Sequence, residues 1–108
     1  MKVKDVTGSL TALNSTVVIG TDDADYVSVQ LTGTWSGTVT FETTVNGVDW
    51  VSMRIIEVSD NSKTGKSTTT ANGVFVHECF GLDDFRVRFS SYSSGTATVN
   101  MHSSRLAK

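Results

Sequence analysis

The residues in this chain that could carry chemistry fall into a few small groups. His77 and Cys79 stand two apart in a stretch of Val and Phe. On an extended strand that spacing turns both side chains to one face, where they could offer two metal ligands. A zinc site needs three or four well-placed donors, and His102 is the one other histidine. The pair therefore reads as a buried thiol beside a hydrogen-bonded imidazole. As a nucleophile and base on one short strand it lacks a third group to orient the base. Asp22, Asp23 and Asp25 precede a strand at Tyr26, and Asp83 and Asp84 precede Phe85 in the equivalent place. Carboxylates on two such loops could share a Ca²⁺, but aspartates at strand ends are also ordinary solvated turn residues. Gly65-Lys66-Ser67 matches the end of a phosphate-binding loop, yet Asp60 stands where that loop needs its upstream Gly. These residues lead to the expectation of a non-enzymatic protein with no catalytic residue, no metal and no cofactor.

The elements that must position these groups are strands. Val, Ile and Thr fill 34 of 108 positions, whereas Leu and Ala together fill 10. That balance disfavours helices, because β-branched side chains lose rotamer freedom against a helical turn and pack well on a pleated surface. Alternation is clearest at Tyr26–Thr32, where Val27, Val29 and Leu31 share a face, and recurs at Thr38–Glu42, Phe85–Phe89 and Thr96–Met101. Weaker strands are expected at Ser15–Gly20, Trp50–Val58, Thr68–Ala71 and Val74–Phe80. About eight short strands punctuated by Gly, Asn, Asp and Ser predict an all-β fold, a jelly-roll-like antiparallel β-sandwich. Its core should hold Val27, Val29, Leu31, Val39, Phe41, Phe85, Val87, Phe89 and Val99. A shift of 58 residues lays Val27, Val29 and Leu31 on Phe85, Val87 and Phe89, and Val39 and Phe41 on Ala97 and Val99. Two similar hairpins at the centre of the sandwich are expected. Residues 1–14 are expected to form an N-terminal arm and first strand that contact a partner, with the sandwich spanning 15–105. The stretch from Asp60 to Ser67 has no apolar residue and is expected to be an exposed connection.

Composition excludes several classes. Nine basic and eleven acidic residues give a net charge of −2, with no basic footprint for nucleic acid. The apolar runs, such as Val17-Val18-Ile19, are far too short for a membrane helix, and no apolar segment follows Met1–Asp5 as in a signal peptide. A single cysteine excludes an internal disulfide and suits synthesis in a reducing cytoplasm. Surface contacts remain as the expected mode of action. Arg86 and Arg88 project together from one strand face, offering planar, multi-donor heads. Trp35 and Tyr92 lie in the turns of the two repeats. Phe75 and His77 lie on a strand with apolar residues on both faces, one of which a neighbour or a second copy should cover. These residues are the interface candidates. Trp50, opening a strand after a tight turn, is expected to pack inside, and Trp35 to be exposed.

The run Leu31-Thr32-Gly33-Thr34-Trp35-Ser36-Gly37-Thr38-Val39-Thr40-Phe41-Glu42, then Asn46-Gly47-Val48-Asp49-Trp50, Arg86–Phe89 and Ser94–Val99, resembles the small β-sandwich modules of tailed-phage virion proteins. The resemblance covers Tyr26 to Met101. It implies a non-enzymatic virion component, a capsid decoration or a tail- or collar-associated protein. It also implies self-association, as a homotrimer, and contact with another virion protein. The Asn46–Trp50 turn is also similar to one in discoidin-like carbohydrate-binding jelly rolls, which implies the alternative of a glycan-binding adhesin module of a tail fibre. Asn46 stands where that family has Asp, and its terminal disulfide is missing, so glycan binding is not favoured.

Overall fold

The computed structural model describes residues 2–60 and 64–106. They contain β-strands and no helix: β1 (Lys2–Leu10), β2 (Thr16–Gly20), β3 (Tyr26–Thr32), β4 (Trp35–Thr44), β5 (Val51–Ser52), β6 (Ile55–Glu57), β7 (Gly65–Lys66), β8 (Thr68–Thr69), β9 (Gly73–Glu78), β10 (Asp84–Gly95) and β11 (Ala97–Ser104). All pair antiparallel. One sheet has the order β1-β11-β3-β9-β6-β7 and the other β2-β10-β4-β5, with β8 also on β4. The two pack face to face as a β-sandwich, as the alternation predicts.

Each expected core residue is buried between the sheets, along with Leu10, Ile19, Ile55, Phe75, Cys79, Ala97 and Met101. Phe41 is at the centre, with its ring 4.9 Å from Phe75 and 6.3 Å from Phe85. The 58-residue correspondence survives as geometry, since both copies of the apolar frame point inward. The units are not hairpins, however. β3 and β4 lie in opposite sheets, as do β10 and β11, and each strand pairs with the other unit's partner, β3 with β11 and β4 with β10. Each unit is an arch that crosses the core, and the arches touch where Thr96 N–H donates to the Thr34 carbonyl at 3.1 Å.

Residues 2–10 of the segment assigned to the arm are a strand of the sandwich. β1 pairs with β11 from Lys2↔Ser104 to Leu10↔Ala97, so the fold includes it from its first turn onward. The single strand expected over Trp50–Val58 divides, because the chain changes sheets: β5 runs along β4, and β6 runs along β9. It returns through β7 to β8, back on β4. Part of the expected exposed connection at 60–67 lies outside the described residues, and Gly65–Lys66 of it form β7.

Candidate functional site

On β10 the alternation that sends Phe85, Val87 and Phe89 into the core sends Asp84, Arg86, Arg88 and Ser90 to the opposite face. β10 is flanked by β2 and β4, in a register that sets Arg86 between Val18 and Glu42, and Arg88 between Thr16 and Thr40. The result is a polar ladder across the outer face of the five-stranded sheet. Glu42 Oε1 accepts from Arg86 Nε at 2.7 Å and Arg88 Nε at 3.2 Å, and Oε2 accepts from Arg88 Nη2 at 3.1 Å. Arg88 Nη1 donates to Asn14 Oδ1 at 2.9 Å. Glu42 is only 6% exposed although it points outward, because the arginine side chains lie over it. Burial by itself would push its carboxyl up. The hydrogen bonds from Arg88 and Arg86, with their charges, more than offset this and hold it below the usual value. Two guanidinium groups on one carboxylate leave the Arg86–Glu42–Arg88 cluster with one net positive charge.

Trp50 closes the ladder on the other side. It is half-buried on this outer face, not in the core as its sequence context predicts, and its ring centroid lies 4.2 Å from the Arg86 guanidinium carbon. A built turn sets it there. Asn46 Oδ1 accepts from Val48 N–H at 2.8 Å and Asp49 N–H at 2.9 Å, and Gly47 takes φ of 78°. With Glu42 on one side and Trp50 on the other, Arg86 is fixed, yet its two terminal nitrogens have no hydrogen-bond acceptor among the described residues.

One step along β10 the character reverses. Thr21 N–H donates to the Asp83 carbonyl at 2.9 Å, joining the two aspartate-bearing loops. Above Gly20, the Asp84 and Asp22 carboxylates and the Lys4 ammonium converge. Burial pushes the Asp84 carboxyl up, and the charge and hydrogen bond of Asp83 and the charge of Asp22 add to this, against a smaller opposing effect of Lys4. Among the described residues no group of three or more His, Cys, Asp or Glu side chains is arranged to hold a metal ion.

The remaining candidates do not join this face. Trp35 and Tyr92 both lean on Phe89, at 5.5 and 5.2 Å between ring centroids. Trp35 is half-buried, not bare, and its Nε1 donates to Asn72 Oδ1 at 2.6 Å. Phe75 is in the core with no exposed surface, which corrects its place among the interface candidates: of the two possible inward faces of its strand, the one carrying Phe75 and Cys79 points in. His77 shares that side and is half-buried, with Nδ1 at 3.0 Å from the Glu78 carbonyl oxygen. Val74 and Phe80, on the outward side, remain 40% and 52% exposed. Cys79 is buried, and burial together with the Asp25 charge pushes its thiol up to about 11. His102 lies on the outer face of the six-stranded sheet, where it lines a shallow depression of about 370 Å³ with Asp5, Thr7, Ser28, Gln30 and Asn100.

No protein-family model and no curated protein matches the chain. The crystal structure of the SPBc2 prophage-derived protein YomS has the same fold, with a TM-score of 0.73 and 14% identity over 94% of this chain and 96% of YomS. A chain from Bacillus endospore appendages, described as disulfide-linked pili, aligns with 98% of this chain and 92% of its own at a TM-score of 0.40 and 13% identity. That second likeness is too loose to carry an argument. The first establishes the architecture, which a protein of prophage origin shares nearly end to end.

Proposed function

We propose that the chain is a non-enzymatic accessory protein of a tailed-phage virion, a capsid decoration or tail- or collar-associated component that acts through protein–protein contacts. The observation that supports this best is the YomS likeness, because a prophage-derived protein of nearly the same extent has the same sandwich. The virion resemblance of the Gly33–Glu42 and Arg86–Phe89 segments agrees with it. The surface fits the role as well: a fixed Arg beside a Trp is the kind of anchor that dominates binding energy at protein interfaces. In this reading the chain associates with itself and with another virion protein, and its place of action is the assembled particle.

The test is to purify particles produced by the genome that encodes the chain and to measure its copy number per particle by quantitative mass spectrometry. A fixed ratio to the major structural proteins is expected. Absence from particles, with the protein abundant in the lysate, would overturn the reading. Binding of a defined oligosaccharide that is lost in Trp35→Ala would instead favour the adhesin alternative.

A further inference from the structure

The outer face of the five-stranded sheet carries two unmatched halves side by side. Arg86 presents a guanidinium whose Nε is committed to Glu42 and whose central carbon lies over the Trp50 ring, while its two terminal nitrogens lack acceptors among the described residues. A guanidinium held this way has already lost its rotamer freedom, so a carboxylate meeting its open edge forms two parallel hydrogen bonds at little further entropic cost. Two residues away on the same strand and face stands Asp84, crowded by Asp83 and Asp22 and reached by a single cation, Lys4. Beside Arg86, directly across on β2, Val18 is 40% exposed, an apolar element within a polar face.

We propose that this face is a two-fold interface with a second copy of the chain, in which the Arg86 fork of each copy binds the Asp84 carboxylate of the other. The occupant follows from charge complementarity. The acceptor that the terminal nitrogens of Arg86 lack and the direct ion pair that Asp84 lacks among the described residues, its neighbour Lys4 being paired with Asp22, belong to one surface about two residues apart, roughly 7 Å along the strand. A two-fold axis passing between them places each opposite its complement, which is the pattern of an isologous contact. A three-fold association would need the two halves on different surfaces, so this contact is proposed as two-fold, and the homotrimer that the virion resemblance implies is a competing outcome of the test. The area suffices: a stable dimer buries about 800 Å² per partner, a modest part of the chain's 5670 Å², and the sandwich offers a broad side of 43 by 34 Å. The contact rests on the assembly reading for its use in a particle. Its measurement is made on isolated protein, so a failed dimer and a chain missing from particles are separate results.

The experiment is sedimentation velocity and multi-angle light scattering from about 1 to 200 µM on the intact chain, with Asp84→Lys and Val18→Arg as variants. The unmodified chain should sediment with twice the mass of its 11.6 kDa protomer. In Asp84→Lys two cations face each other across the axis, and the dissociation constant should weaken about thirtyfold or more. The same variant relieves the carboxylate crowding inside its own chain, so its melting temperature, compared with the unmodified chain at a concentration where both are monomeric, should hold or rise. That combination of lost association and kept stability is not what a merely structural role for Asp84 gives. Val18→Arg, at a half-exposed position, should also dissociate the dimer and decides the matter if Asp84→Lys misfolds. A monomer throughout the range overturns the proposal. So does a trimer, or a dimer that persists in either folded variant, which would leave Arg86 to an acidic segment of a different protein.

Discussion

Glu42 shows how much one outward-pointing residue can matter. Its carboxylate is the common acceptor for Arg86 and Arg88, so neutralising it leaves two guanidinium groups facing each other without their anion. Glu42→Gln is expected to cost about 1.5–3 kcal/mol at pH 7, the range for hydrogen bonds to charged groups. The pH dependence follows from the direction of the shift. Because the folded carboxyl titrates below its ordinary value of 4.5, its contribution is fully present above that value and is lost as pH falls through the folded one. Urea midpoints of the two proteins should therefore differ at pH 7 and converge in acid. Cys79 gives a second residue-scale prediction. A buried thiol with its titration raised to about 11 is protonated at pH 8, so a disulfide reagent should modify it slowly in the native protein and stoichiometrically in urea. An equal rate in both conditions would place the thiol at the surface. The sequence makes Cys79 legible as buried but gives no sign of Glu42, which looks like one more solvent-facing position of β4. Its burial comes from Arg86 and Arg88, 44 and 46 residues away, and only strand pairing brings them over it.

At the scale of elements, the two arches depend on glycines where they cross. Gly33 at φ of 98° and Gly95 at φ of 84° occupy the left-handed region, and a Cβ on Gly33 would come within 2.7 Å of the Thr96 carbonyl oxygen. A Cβ on Gly95 would collide with the Thr34 carbonyl. Gly81 has a similar φ of 77° but open space around it. Asn tolerates that backbone, so Gly81→Asn should cost little, whereas Gly95→Asn should cost more than about 2 kcal/mol. Thermal melts of the two variants make the comparison, and equal losses would mean that φ alone matters. The expectation of hairpins failed here because a period-2 pattern records which side chains face the core but not whether the next strand continues in the same sheet or crosses to the other. The extent of β1 was obscured for a different reason. Val3 and Val6 are out of phase, and a register shift between Lys2 and Lys4 resets the alternation.

For the molecule as a whole, the core is one body shared by both sheets, with Phe41 against Phe75 and Phe85, and Phe89 against Trp35 and Tyr92. Phe41→Ala should cost about 3–5 kcal/mol, a large share of the roughly 5–15 kcal/mol that holds a domain together. Chemical denaturation should show it losing more than Phe89→Ala, because Phe89 lies where Trp35 and Tyr92 can settle toward the cavity. The reverse order would count against Phe41 as the centre.

The sequence by itself determined the all-β class and the inward set Val27, Val29, Leu31, Val39, Phe41, Phe85, Val87, Phe89 and Val99. These follow from residue type and local periodicity, which act over two to seven positions and need no knowledge of partners. Tertiary structure alone decided that β3 and β4 belong to different sheets, that residues 51–69 cross between the sheets and back, and that Phe75 is core while Trp50 lies outside under Arg86. It also decided that Arg86 and Arg88 share one carboxylate from a distant strand. Each of these depends on which strands become neighbours, and that is set by how the whole chain fills one core, which no single segment encodes.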